Sequence, residues 1–150
     1  METIQSFHII GLSVRTTNEN GQSATDIGAL WQRFMSDEIM AKIPSKTGNE
    51  IICVYTGYEK DHTAPYTTIL GCKVENLDHI PEGMTGKTID AGSYVRFTAH
   101  GNATEGAVYN EWVNIWDSGL DRAYTADFEV YGPESWDPVN GKVPIFIAVK

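Results

Sequence analysis

The chain is short of positive charge. Eleven Lys and Arg stand against 20 Asp and Glu, for a formal net charge of -9 at neutral pH. Phosphate backbones are gripped by Lys and Arg, and anionic membrane surfaces by basic clusters, so neither nucleic acid nor membrane is an expected direct partner. Cysteine is scarce as well. Cys53 and Cys72 lie in the strand-like stretches Ile51-Ile-Cys-Val-Tyr55 and Thr67-Thr-Ile-Leu-Gly-Cys72, where a free thiol behaves as a small apolar core residue. Two reduced thiols in a cytoplasmic protein are expected rather than a disulfide. No apolar run approaches the ~20 residues of a membrane helix. The first twenty residues, with Glu2, Arg15 and Glu19, lack the apolar core of an export signal. Also missing are a phosphate loop, a dinucleotide glycine fingerprint, a CxxC pair and a G-x-S-x-G. The histidines at 8, 62, 79 and 100 are scattered without ligand spacing, so neither a metal nor a cofactor is expected.

What is present is ordinary globular composition: 150 residues, 41% hydrophobic and 21% charged, a length that fits one domain. The acid excess is dispersed. Residues 1–75 carry 6 basic and 9 acidic groups and residues 76–150 carry 5 and 11, with no acidic tail. Partners should therefore be neutral or cationic.

The sequence reads twice. At an offset of 81, Gly11-Leu-Ser-Val-Arg15 lies on Gly92-Ser-Tyr-Val-Arg96, Ile27 on Val108, Trp31 on Trp112, and Phe34 on Ile115. Beyond the helix the offset falls to 76, placing Val54-Tyr55 on Val130-Tyr131 and Ile69 on Ile145. Single matches are cheap, but their colinear order marks a duplication, with one repeat over about 1–76 and the other over about 77–150.

Each repeat reads as β-α-β-β. In the first, a long strand over Ile4 to Thr16 precedes Ser23-Ala-Thr-Asp26, a capping-box pattern. Ile27, Leu30, Trp31, Phe34 and Met35 then form one helical face, and Pro44 to Asn49 ends the helix region. Strands near 51–57 and 66–74 follow. In the second, a strand near 87–99 leads to a helix opened by Asn102 or Thr104, with Val108, Trp112, Ile115 and Trp116 on one face. Strands near 125–131 and 143–149 close it, with Pro144 expected at a strand end or edge because it cannot donate to a ladder. Three strands and a helix cannot cover themselves, so the halves should join about a pseudo-twofold axis. The expected fold is α+β: one antiparallel-rich sheet, two helices and a central cleft.

The chemistry rests on aromatics and one acid. Four Trp, seven Tyr and five Phe make 11% of the chain, with Trp31, Trp112 and Trp116 on the predicted inner helix faces. Such residues often serve only as core, but a groove between two related halves turns them into ligand walls. Glu129 stands out in Asp127-Phe-Glu-Val-Tyr131, where its repeat partner is Cys53. Period-2 alternation leaves it either facing solvent or at the groove floor. In the second case a carboxylate ringed by aromatic faces suits a hydrophobic cation, to which the rings add ~0.5–2 kcal/mol. Asp127 shares that strand face as a weaker candidate.

These residues resemble the GyrI-like small-molecule-binding domain, the effector-binding domain of AraC-type transcription activators. The likeness is carried by Ile89-Asp-Ala-Gly-Ser-Tyr94 with Gly101, by the Trp112 to Trp116 helix, and by Phe128-Glu-Val-Tyr131. Val54-Tyr-Thr-Gly-Tyr58 through Tyr66-Thr-Thr-Ile-Leu-Gly71 completes it, so nearly the whole chain is covered. The resemblance implies two β-α-β-β units about a pseudo-twofold axis and an aromatic cleft. It implies an acidic residue, mapping onto Glu129, that in many members recognises lipophilic cations. Many members carry an added helix-turn-helix segment; here the two repeats use up the 150 residues, so a free-standing version is expected. Some relatives use the equivalent Glu in hydrolysis, and others bind protein partners.

Three functions follow as expectations. The first is a binding module for a hydrophobic cationic small molecule, with Glu129 supplying charge and Trp31, Tyr55, Tyr94, Trp112, Trp116 and Phe146 the wall. The second is a hydrolase in which Glu129 acts as general base, with Tyr55 or Tyr131 as donor. Binding is preferred, because no second acid or base is identifiable. The third is inhibition of a DNA enzyme through a protein contact, which the dispersed charge supports least.

Overall fold

The structure, a computed structural model, describes residues 1–61, 63–102, 106–137 and 139–150. The elements run β1 Glu2–Ile4, β2 Phe7–Thr16, α1 Gln22–Ser36, α2 Ile39–Lys42, β3 Ile51–Thr56 and β4 Tyr66–Val74. They continue with β5 Thr85–Ile89, β6 Gly92–His100, α3 Ala107–Trp116, β7 Arg122–Tyr131 and β8 Lys142–Val149. The eight strands form one sheet in the order β1-β6-β8-β7-β3-β4-β2-β5, antiparallel at every pairing. Leu30 and Phe34 of α1 and Ile115 of α3 enter one core, so both long helices cover the same face. This is the α+β architecture of two repeats, joined at the β3–β7 seam.

Each repeat supplies four strands rather than three. The long first strand breaks at Gln5-Ser6 in one half and the predicted 87–99 strand breaks at Asp90-Ala91 in the other. Each leading segment then crosses to the opposite half: β1 pairs with β6, and β5 with β2. The exchange is symmetric. Glu2↔Tyr94, Thr3↔Ser93 and Ile4↔Gly92 recur as Lys87↔Ile9, Thr88↔His8 and Ile89↔Phe7. The strand offset is therefore 85, not 81, and Thr3-Ile4 reappears as Thr88-Ile89. Similar residues four places apart in β2 and β6 produced the false register.

The β4 and β8 assignment also needs correcting. Ile69 and Ile145 lie on opposite sheet faces, and Leu70 is the counterpart of Ile145, since the two pair with Cys53 and Glu129 respectively. At the seam the offset of 76 holds. Cys53 pairs directly with Glu129, its own counterpart, so the pseudo-twofold axis passes between these two residues.

Helix starts differ from the pattern. Ser23 lies inside α1, whose cap is Gly21 at φ 70°, after a 3-10 turn over Glu19–Gly21, and among the described residues no side-chain cap hydrogen bond is made there. Gln22 bonds Asp26 instead, at 3.1 Å. The second helix begins at Ala107 behind Gly106 at φ 94°, later than Asn102, while Thr104 lies outside the described residues. Met35 is 60% exposed, because each step of four residues drifts about 40° around the helix and carries the Ile27–Trp31–Met35 row off the sheet. Pro144 is the third residue of β8, paired with Thr98 alone and beyond the last β7–β8 pair at Glu129↔Ile145.

Both sheet faces are buried. The face away from the helices holds Ile9, Ile52, Val54, Ile69, Tyr94 and Phe128. Phe7 of β2 meets Phe128 of β7 with ring centroids 5.1 Å apart. Those strands are three places apart, about 14 Å in a flat sheet, so the sheet must curl until its second face closes on itself. Glycine assists at one point. Gly11 and Gly71 are paired across β2 and β4, and a Cβ on Gly71 would stand 2.0 Å from the Ile10 carbonyl oxygen.

Candidate functional site

A cleft of about 840 Å³ opens between α1 and α3. Ile27, Gly28 and Trp31 form the α1 wall, and Val108, Trp112 and Trp116 the α3 wall. Tyr55 of β3 and Glu129 and Tyr131 of β7 form the floor, where the seam crosses beneath the helices. The aromatic contacts obey the pseudo-twofold axis. Trp31 meets Tyr131 edge-on at 4.8 Å, and Trp112 meets Tyr55 edge-on at 5.4 Å. Trp31 and Trp112 are counterparts at offset 81, Tyr55 and Tyr131 at offset 76, so each indole packs on the tyrosine of the other half.

Glu129 is 1% exposed. Alternation in β7 places Phe128 and Val130 on the far face and turns Glu129 toward the helices. One carboxylate oxygen accepts from Tyr55 Oη at 2.8 Å and Trp112 Nε1 at 2.6 Å, and the other from Tyr131 Oη at 2.5 Å. All three donors are neutral. Among the described residues no Lys, Arg or His forms an ion pair with it. Burial pushes the Glu129 pKa above the usual carboxylate range, and the bonds from Tyr131, Trp112 and Tyr55 only partly pull it back. Burial, with Glu129 adding to it, also raises the Tyr131 hydroxyl and the Cys53 thiol, so both stay protonated.

Asp127, two residues earlier, has a partner. Arg122 Nη2 lies 2.7 Å from its carboxylate, Tyr58 Oη donates to it at 2.5 Å, and the Ala148 amide donates at 2.9 Å. A register shift between Arg122 and Asp127, with Tyr124 at φ 55°, bends the start of β7 so that Arg122 reaches the cleft. Burial opposes the Arg122 charge, but Asp127 and Tyr58 hold its pKa above the ordinary value.

Residues 1–149 match the model of Cass2, described as integron-associated effector binding protein. The chain belongs to that family. It is thus a small-molecule-binding protein of the effector-binding class, in agreement with the GyrI-like resemblance. The integron cassette protein VCH_CASS2 from the mobile metagenome of Vibrio cholerae is 30% identical, with a TM-score of 0.77 over 99% of this chain and 94% of its own. YobU of Bacillus subtilis (strain 168), provisionally named a transcriptional regulator protein, is 30% identical over 144 residues, 93% of this chain and 90% of its own. SAV2435, solved with tetraphenylphosphonium bound, shares the fold at TM-score 0.82 over 99% of this chain and 92% of its own, with 18% identity.

The cleft gathers five of the seven sequence-predicted side chains: Glu129, Trp31, Tyr55, Trp112 and Trp116. Tyr94 and Phe146 are not among them. Phe146 stacks on Phe128 at 4.8 Å and Tyr94 packs edge-on to Phe128 at 5.5 Å, both on the face away from the helices. Parity explains the placement, since the flanking Ile145 and Ile147 face the helices and Phe146 must point the other way. Tyr94 instead borders a smaller cavity of about 370 Å³ with Ile89, Ala123 and Ala148. Sequence reasoning missed Tyr58, Tyr66 and Arg122 as cleft residues. It named Tyr131 only as a catalytic donor, although its match to Tyr55 pointed to the floor. Among the described residues, no group of three or more His, Cys, Asp or Glu is placed to hold a metal, and no helix is long and apolar enough to cross a membrane.

Proposed function

We propose that the cleft binds hydrophobic cations, with Glu129 supplying the charge and Trp31, Tyr55, Trp112 and Trp116 the enclosing faces. One observation carries this reading: a buried carboxylate on a cleft floor that, among the described residues, holds three neutral hydrogen bonds and no counter-cation. A buried charge without a partner is costly, so a cation entering the cleft gains what the protein leaves unsatisfied. The aromatic faces add cation–π attraction and apolar contact. The tetraphenylphosphonium held by SAV2435 supports the same chemistry. A hydrolytic role for Glu129 fits less well, because the Tyr55 and Tyr131 hydroxyls needed to activate an electrophile are both donated to Glu129 itself.

The test is titration with tetraphenylphosphonium and with neutral triphenylphosphine oxide, read by tryptophan fluorescence. The cation should quench saturably and bind more tightly than the oxide. Glu129→Gln keeps size and an acceptor oxygen, and should weaken the cation by about 2–5 kcal/mol while affecting the oxide far less. Equal affinities for both probes, unaltered in Glu129→Gln, overturn the charge role.

A further inference from the structure

Arg122 is buried, though less completely than Glu129, and only part of its guanidinium is used. Its side chain is 4% exposed, and Nη2 serves Asp127 at 2.7 Å and the Tyr58 hydroxyl at 3.5 Å. Nε and Nη1 are buried with no hydrogen-bond partner among the described residues. A guanidinium carries five N–H donors in a rigid plane, and buried donors in native proteins nearly always find an acceptor. These find none among the described residues, and Arg122 is one of the residues that line the cleft. Aromatic rings fix it in place: its central carbon lies 4.4 Å from the Tyr124 ring centroid, 5.8 Å from that of Trp112 and 5.9 Å from that of Tyr58. Trp112 is shared, because its indole N–H binds Glu129 while its ring neighbours Arg122.

We infer that Arg122 is a second recognition pole, and that the cleft selects amphoteric aromatic ligands with a cationic group for Glu129 and a carboxylate or carbonyl oxygen for Arg122 Nε and Nη1. This rests on the cation reading of Glu129 and adds to it an acceptor at a defined place. Asp127 neutralises the formal charge of Arg122 but uses only one edge of the plane, so selection works through directed hydrogen bonds rather than net charge.

The probes are rhodamine 110, whose xanthene cation bears a free carboxylate, and rhodamine 123, its methyl ester, both titrated by fluorescence anisotropy at mildly alkaline pH. The acid should bind about tenfold more tightly than the ester, as one added charge-assisted hydrogen bond provides. Arg122→Lys keeps a cation for Asp127 but loses the planar fork, and should bring the ratio of the two affinities close to one. In the unaltered protein, binding of the acid should also move the Arg122 Nε–H resonance in nitrogen-15 spectra further than the ester does, a readout independent of any variant's folding. A ratio near one in the unaltered protein, a ratio retained in Arg122→Lys, or an unmoved resonance overturns the second pole. Tetraphenylphosphonium carries no acceptor and reads Glu129 alone. Its preference over triphenylphosphine oxide persists if only the Arg122 inference fails, and that preference disappears if the cation reading itself is wrong.

Discussion

The two halves carry the same frame and differ where it matters. Trp31 on Tyr131 mirrors Trp112 on Tyr55, and β1 on β6 mirrors β5 on β2. On the axis itself the match ends, with Cys53 facing Glu129. A symmetric cleft with Cys on both sides would be a neutral aromatic slot, and one with Glu on both sides would force two carboxylates together. A single acid on the axis takes donors from both halves at once: Tyr55 from the first, Trp112 and Tyr131 from the second. Duplication thus provides the walls and the donors, and one broken match provides the charge.

The most severe way to break this comparison is to restore symmetry with Cys53→Glu. Cys53 is fully buried and stands directly opposite Glu129, which already holds both floor tyrosines. The new carboxylate would be an unpaired buried charge, and unfolding free energy should fall by about 3–5 kcal/mol in urea denaturation at neutral pH. The loss should shrink on acidification, as the pair comes to share protons. An unchanged midpoint and slope at neutral pH would mean that the first half has room for an acid, and that packing does not enforce the asymmetry.

A milder separation of the halves uses pH. Glu129 has a raised pKa in the folded chain, so over the window from the ordinary value of ~4.3 up to that raised value the folded state holds a proton that the unfolded state has released. Its contribution to stability is therefore largest below that window and is lost as pH rises through it. Cation affinity should run the opposite way, rising with pH as the carboxylate ionises. The difference between the unaltered protein and Glu129→Gln, taken at each pH by denaturation and by tetraphenylphosphonium titration, isolates both trends. Parallel trends would be incompatible with Glu129 as the charged pole.

Much of this was legible in the sequence, for reasons that also explain the failures. Helix faces survive because period 3.6 over four turns leaves few alternatives, and Trp31 with Trp112 fixed the helix offset correctly. Strand registers are weaker evidence. Gly-x-x-Val-Arg recurs in β2 and β6, and its false offset of 81 masked the true offset of 85 that Thr3-Ile4 and Thr88-Ile89 display. The faces of Tyr94 and Phe146 were readable by counting from neighbours, but only once it was known that both sheet faces are buried; in a sheet with one wet face, aromatics belong on the dry one. Arg122 had no sequence signal. It enters the cleft through the irregular start of β7, and no periodicity encodes that bend.

The finest difference between the halves lies in the cleft walls. At offset 81, Gly28 on α1 corresponds to Tyr109 on α3, so one wall carries no side chain where the other carries a ring that is 62% exposed. Gly28 is in a helix interior, a position where glycine costs roughly 0.5–1 kcal/mol relative to alanine. A Cβ there would have nothing within 4 Å, so neither packing nor backbone geometry asks for glycine. Gly28→Ala should therefore raise the melting temperature by about 2–4 °C per kcal/mol gained, measured by calorimetry. One methyl group is small against a cleft of about 840 Å³, so tetraphenylphosphonium affinity should hardly move. If stability rises and affinity falls instead, ligand lies against the bare α1 wall, and the asymmetry at the axis extends to the walls. If both stay fixed, the missing side chain on α1 is a tolerated accident, and the difference between the halves is confined to the axis and to Arg122.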